Sequence, residues 1–163
     1  MRTVIKPIET EAETLGKAYV HWKSWHEAYA GLIPADYLDT VTLEKCERIA
    51  RRWPDNLLVA LDGDRVVGFA GYGAYRDGTL PDTGEVFALY VLREYYGTGV
   101  GRELMNAALD RLSHFSSAAL WVLKDNGRAI RFYEKCGFRP EGTEQKITLG
   151  KELTEIRMIR GTK

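Results

Sequence analysis

The segment Val91-Leu92-Arg93-Glu94-Tyr95-Tyr96-Gly97-Thr98-Gly99-Val100-Gly101-Arg102 carries three glycines at alternate positions. It follows the apolar run Val86–Val91 and precedes an amphipathic stretch from Leu104 to Phe115. Strand, glycine-rich turn and helix in that order make an anion cradle. Glycine lets a turn adopt dihedrals other residues avoid, and it lets backbone N–H groups approach a ligand with no Cβ in the way. Those N–H groups and the positive end of the following helix suit a phosphate or pyrophosphate. The spacing excludes two common phosphate loops. A dinucleotide fingerprint requires glycine where Arg102 stands, and a P-loop requires Gly-Lys-Ser/Thr where the chain has Gly101-Arg102-Glu103. A tight strand-to-helix turn with no ligand would use the same glycines.

A second cluster follows further along. The apolar run Ala118–Leu123 is punctuated by Lys124-Asp125-Asn126-Gly127, then comes Arg128-Ala129-Ile130-Arg131-Phe132-Tyr133-Glu134-Lys135-Cys136-Gly137-Phe138. The two segments together resemble the GNAT-type N-acetyltransferases. That family carries an [Arg/Gln]-x-x-Gly-x-[Gly/Ala] loop after its fourth strand and an Asn…Ala…Phe-Tyr-Glu-Lys…Gly-Phe helix after its fifth. The resemblance runs from about Leu57 to Phe138. The chain departs from it at Tyr96, where the family has Arg or Gln. Backbone does most of the binding in that loop, so the cradle is expected to survive.

The resemblance implies acetyl-coenzyme A as acetyl donor and no metal. Its pyrophosphate would lie over Tyr96, Gly97, Thr98, Gly99, Gly101 and Arg102. The pantetheine arm would run beside the preceding strand as a pseudo-strand on a splayed edge. Backbone groups of Leu89 and Val91 would meet the pantetheine and the acetyl carbonyl, where a free N–H would stabilise developing negative charge on oxygen. As ordinary strand residues, Leu89 and Val91 would pack the core with their side chains all the same. Asn126 is expected to cap the helix that follows it, and in the family it also contacts the cofactor arm.

Acetyl transfer to an amine needs two proton events. The amine must be neutral to attack, and the leaving thiolate must be protonated. Tyr133 occupies the position of the family's acid; its alternative is a helix aromatic packed beside Phe132. Glu85 is the expected base. Strict alternation puts it on one face with Phe87, Leu89 and Val91, and apolar neighbours would raise its pKa. A solvated strand start is its plain alternative. His21 and His26 rank below Glu85, and His114, near a helix C-terminus, has no assigned role. The family's acceptor pocket falls here on Trp22, Trp25, His26, Tyr29, Tyr75 and Asp82. Trp22, Trp25 and Tyr29 are the expected substrate contacts, an aromatic box for a cationic or planar amine. The same three also fit the buried stripe of a helix. The expected acceptor is a small-molecule or peptide amine, and a homodimer stays open. Two other functions compete: a non-catalytic coenzyme-A-binding regulator, and a nucleotide-binding module.

These residues need a scaffold, and the chain reads as one. Thr3–Ile8 predicts a first strand, and a polar stretch supplies caps for a helix over about Glu13–Ala30, with Leu15, Ala18, Trp22, Trp25 and Tyr29 at helical spacing. A second helix lies near Leu43–Trp53. Leu57–Leu61 and Arg65–Gly71 flank Asp62-Gly63-Asp64, a hairpin signal. Glu85–Leu92 is the next strand, followed by a helix over Gly101–Phe115 whose buried stripe is Leu104, Met105, Ala108, Leu109 and Leu112. Gln145–Leu149 and Leu153–Arg160 close the pattern as strands. The expected fold is α/β: a mixed, mostly antiparallel sheet with a central βαβ unit and helices on both faces. A single N-acetyltransferase domain over 1–163 is expected.

Lys plus Arg equals Asp plus Glu, 23 each, so no global field draws the chain to nucleic acid or an anionic membrane. No apolar run reaches the length of a membrane span, and Met1–Pro7 lacks a signal-peptide core. Cys46 and Cys136 stand far apart with no C-x-x-C spacing. A cytoplasmic location with free thiols is expected, with Cys136 a buried small hydrophobe.

Overall fold

A computed structural model describes residues 2–163 of the chain. The strands are β1 (Thr3–Pro7), β2 (Leu57–Asp62), β3 (Arg65–Ala74), β4 (Thr83–Val91), β5 (Ser117–Leu123), β6 (Arg139–Thr148) and β7 (Glu152–Gly161). The helices are α1 (Glu11–Ala28), α2 (Ala35–Leu38), α3 (Leu43–Arg52), α4 (Val100–Arg111) and α5 (Gly127–Lys135). One sheet runs in the order β1-β2-β3-β4-β5-β7-β6, antiparallel except where β4 meets β5. The expected α/β sheet with a βαβ centre is present, and β4-α4-β5 is that centre.

Local chemistry sets the helix starts. Thr10 caps α1 in a reciprocal capping box with Glu13, Thr42 caps α3 through the Lys45 N–H, and Asn126 caps α5 through the Ala129 N–H. The α4 stripe lies where its spacing put it: Leu104, Met105, Ala108, Leu109 and Leu112 are all buried beneath the sheet. The opposite face is covered by α1. That helix buries two sides at once: Val20 joins the sheet core, while Ala18 packs with Cys46 and Ala50 of α3.

Two irregularities matter for the site. Register passes from Gly71↔Ala88 to Tyr72↔Val86, which leaves Phe87 without an opposite residue: a β-bulge in β4. The bulge corrects the expectation that Glu85 shares a face with Leu89 and Val91. Glu85 lies opposite Gly73, and Tyr90 opposite Phe69, on the α1 face. Val91 lies opposite Gly68, where the α4 residue Leu104 packs, so Leu89 and Val91 belong to the other face. One extra residue inverts the alternation. The second irregularity is a gap. Parallel pairing of β4 with β5 runs only from Thr83↔Ser117 to Glu85↔Ala119, while β5 stays paired with β7 through Leu123↔Glu155. Beyond Glu85 the two central strands part.

Candidate active site

The gap opens into a cavity of about 330 Å³ lined by β4 from Glu85 to Val91, the end of β5, and α5. Its edges are set by hydrogen bonding. The Leu92 N–H donates to the Val67 carbonyl, toward β3. Because N–H directions alternate along an extended strand, those of Val91 and Leu89 point the other way, into the gap. A gap between parted strands therefore offers unpaired backbone donors to an extended, amide-rich ligand.

The glycine loop closes one end. Gly97 and Gly99 have φ of 75° and 93°, the left-handed region. Gly99 is the N-cap of α4 and has no side-chain cap, so the first N–H groups of that helix are free for an anion. No protein atom lies within 4 Å of a Cβ built at Gly97 or Gly99. At Gly101 the constraint is packing instead: a Cβ would meet the Phe132 ring at 3.2 Å, so glycine lets α4 and α5 come together. Arg102 lines this end with Arg128, whose guanidinium stacks 3.5 Å from the centre of the Tyr96 ring. Tyr96, the departure from the family pattern, thus holds a cation beside the cradle.

The other end is aromatic and phenolic. Tyr133 on α5 faces the cavity, packed edge-on against Phe132 and Phe138. Burial pushes its phenol well above the ordinary tyrosine value, with Tyr90 adding to the effect. The hydroxyl keeps its proton at neutral pH. Tyr29, the C-cap of α1, and Tyr90 of β4 meet hydroxyl to hydroxyl at 3.0 Å, and burial raises both phenols too.

Glu85 lines the cavity where β4 and β5 part and is 2% exposed. Both carboxylate oxygens are taken. Oε1 accepts from the Arg76 backbone N–H and from its Nε at 3.2 Å, and Oε2 accepts from its guanidinium at 2.8 Å. Arg76 also lies over the Phe87 ring, 4.7 Å from its centre. The apolar shielding expected around Glu85 is therefore a guanidinium clamp.

The remaining expected residues divide. Leu89, Val91, Asn126 and Tyr29 line the cavity. Trp22 and Trp25 do not: both pack against Ala18, Cys46 and Ala50 between α1 and α3, and Trp25 also packs on the cavity wall, its ring centre 5.0 Å from that of Tyr29 and 6.4 Å from that of Tyr90. Thr98 is exposed in the glycine loop, its hydroxyl donating to the Tyr95 carbonyl at 2.6 Å. His26 bonds the Val41 carbonyl at 2.9 Å, and Tyr75 bonds the buried Arg157. Asp82 accepts from the Ser116 hydroxyl. Sequence reasoning missed Tyr90, Trp121 and Glu155, all on the cavity wall. Alternation around the bulge would have put Tyr90 on the Glu85 face; nothing local marks Glu155.

Comparison with known proteins follows the same lines. The acetyltransferase (GNAT) family pattern matches residues 20–138. The uncharacterized N-acetyltransferase YuaI of Bacillus subtilis is 35% identical over 128 residues, covering 76% of this chain and 72% of its own. Among solved structures, the PaiA N-acetyltransferase of Thermoplasma acidophilum in complex with coenzyme A superposes with a TM-score of 0.75 at 23% identity, over 99% of each chain. A Salmonella typhimurium protein solved with its cofactor acetyl-CoA gives 0.73 at 17% identity, over 100% of this chain and 95% of that one. With the glycine cradle at the start of α4, the parted strands and the matched pattern in agreement, the chain belongs to the acetyltransferase (GNAT) family of N-acetyltransferases.

Proposed function

We propose that the protein transfers the acetyl group of acetyl-CoA to a primary amine of a small molecule or peptide, by direct attack within a ternary complex. The observation that carries this reading is the continuity of one groove. Free N–H groups at the start of α4, the open edge of β4 and the Tyr133 hydroxyl line a single cavity. Acetyl-CoA fits that order: pyrophosphate, then an amide-rich arm, then a thioester. When bound, it supplies an activated acyl group on a sulfur leaving group.

The protein's own residues divide the remaining work. Gly97, Gly99, Gly101 and Arg102 hold the pyrophosphate, with Arg128 stacked on Tyr96 as a neighbouring cation. Leu89 and Val91 orient the arm and polarise the acetyl carbonyl through backbone N–H groups. Tyr133, held protonated by burial, gives its proton to the departing sulfur. Glu85 with Arg76 borders the acceptor side on the α1 face. Asn126 spends its side-chain oxygen on the cap of α5 and so fixes where Tyr133 stands.

Two measurements test the reading. Acetyl-CoA should raise the melting temperature while ATP and NAD do not. An amine panel assayed for free CoA release should show amine-dependent turnover. A chain that binds acetyl-CoA and releases no CoA with any amine would be a coenzyme-A-binding regulator instead.

A further inference from the structure

Two carboxylates line the cavity, Glu85 and Glu155, and they are not equivalent. Arg76 holds both oxygens of Glu85. Glu155 sits on β7 opposite Leu123, the last residue of β5, beyond the point where β4 and β5 part. Its Oε1 accepts from Gln145 Nε2 at 2.9 Å, and among the described residues no Lys, Arg or His pairs with it. Leu123 shares a cluster with Trp25 of α1 and Tyr29 just after it, so Glu155, opposite it in register, is on the α1 face with Glu85 and Tyr90. Glu155 and the hydroxyl-paired Tyr29 and Tyr90 line the same cavity. The cavity is thus polarised. Arg102 and Arg128 stand at the glycine end. At the other, Arg76 is paired with Glu85, and Arg157, two residues along β7 and stacked on Trp121, is paired with Glu141. That leaves Glu155 the carboxylate without a cationic partner among the described residues.

Resting on the acetyl-transfer reading above, we propose that Glu155, with the Tyr29–Tyr90 hydroxyl pair, receives the acceptor as an aliphatic ammonium and takes its proton. The acceptor class follows from the chemistry. A carboxylate, two hydroxyl oxygens and the aromatic faces of Tyr29, Tyr90 and Trp121 suit a primary amine that is cationic at neutral pH. The step balances. One ammonium proton passes to Glu155, and the freed nitrogen lone pair forms a C–N bond to the acetyl carbon. The C–S bond breaks and sulfur takes the phenolic proton of Tyr133. The second nitrogen proton restores Tyr133, and Glu155 gives its proton to water.

The test uses purified wild type, Glu155→Gln and Glu155→Asp with acetyl-CoA. The acceptors are putrescine, tyramine and a tripeptide with a free N-terminus, and CoA release is followed with a thiol reagent across pH. Glu155→Gln should lose about 10²- to 10⁴-fold in kcat/KM at neutral pH, with the loss shrinking as pH nears the amine's own pKa. Its melting-temperature rise with acetyl-CoA should match that of wild type. Glu155→Asp, which keeps the charge, should recover part of the activity. An unchanged kcat/KM in Glu155→Gln, or a loss of the same size at every pH, overturns the proposal and leaves acetyl transfer standing. Wild type that turns over none of these three but acetylates another amine of the wider panel overturns the aliphatic-ammonium assignment, and wild type that turns over no amine at all overturns the acetyl-transfer reading itself.

Discussion

Glu85 and Ala119 are the last residues at which β4 and β5 lie side by side. From there β4 follows β3 and β5 follows β7, because each keeps its other partner to the end of the strand. The bulge at Phe87 falls just past the parting point, where it bends β4 and turns Tyr90 to the α1 face. A sheet that splits in this way exposes backbone donors inside the protein, a costly arrangement unless a ligand satisfies them. The polar groups of a pantetheine arm can do so. The site is built from a fault in the sheet as much as from side chains.

Gly99→Val tests the cradle. Gly99 sits at φ 93°, a conformation a β-branched residue resists, and its Cβ would meet no protein atom within 4 Å. The fold should therefore survive with a modest loss, about 1–2 kcal/mol of backbone strain. Acetyl-CoA affinity should drop by at least about 10²-fold, because the added side chain occupies the approach to the first N–H groups of α4. Calorimetric titration would check it. Normal affinity in Gly99→Val would displace the pyrophosphate from this loop.

Local signals were legible where local chemistry decides. The glycine loop, the Thr10 and Asn126 caps and the α4 stripe all follow from residues near each other in sequence. Three things did not. The first half of β6 carries Pro140 and Gly142, which weaken a strand pattern, and it survives as an edge strand with a register shift at that point. The tryptophans of α1 have helical spacing that fits a binding face or a core stripe equally; both pack against α3, while Trp25 also packs on the Tyr29 and Tyr90 rings of the cavity wall, which only the tertiary arrangement reveals. Arg76 meets Glu85 only because the β3–β4 loop folds back on the strand, and Glu155 reaches the cavity only because β7 pairs with β5. Long-range pairing leaves no local mark.

Glu85→Gln separates a base from a clamp. With both oxygens on Arg76, Glu85 is expected to hold the β3–β4 loop against the cavity wall. Arg76 has a mostly exposed side chain and can turn to water, so the folding cost should be about 1–3 kcal/mol. Turnover should fall by a similar factor at every pH. A defect that shrinks as pH approaches the amine's own pKa would instead make Glu85 the base, and comparison with Glu155→Gln on one acceptor would show which carboxylate takes the proton.

His21 should make the fold acid-sensitive. It packs edge-on to Trp25 and Phe69, and burial, aided by the charges of Lys17 and Lys45, lowers its pKa from 6.5 to about 4. The unfolded chain binds a proton near pH 6.5 that the folded chain refuses until about pH 4. The His21 contribution to stability is therefore intact above pH 6.5 and declines as pH falls toward 4, by about 1–3 kcal/mol. His21→Leu should flatten the fall of Tm across that window, whatever its effect on Tm at neutral pH. Parallel curves for the two proteins would show that His21 carries no such linkage.

Tyr133→Phe tests the acid. The substitution keeps the ring that packs against Phe132 and Phe138 and removes only the hydroxyl facing the cavity. Acetyl-CoA binding should change little, because the cradle and the β4 edge are untouched. Turnover should fall by about 10²- to 10⁴-fold, the range for loss of a general acid. The loss should fall on kcat, since a hydrogen bond to sulfur strengthens as the C–S bond breaks and negative charge grows there. An acetyl donor with a better leaving group gives a sharper readout. With a thioester of a more acidic thiol, the penalty of Tyr133→Phe should shrink, because that sulfur departs without a proton. An equal penalty for both thioesters, or an unchanged kcat where chemistry limits the rate, would remove Tyr133 from proton transfer.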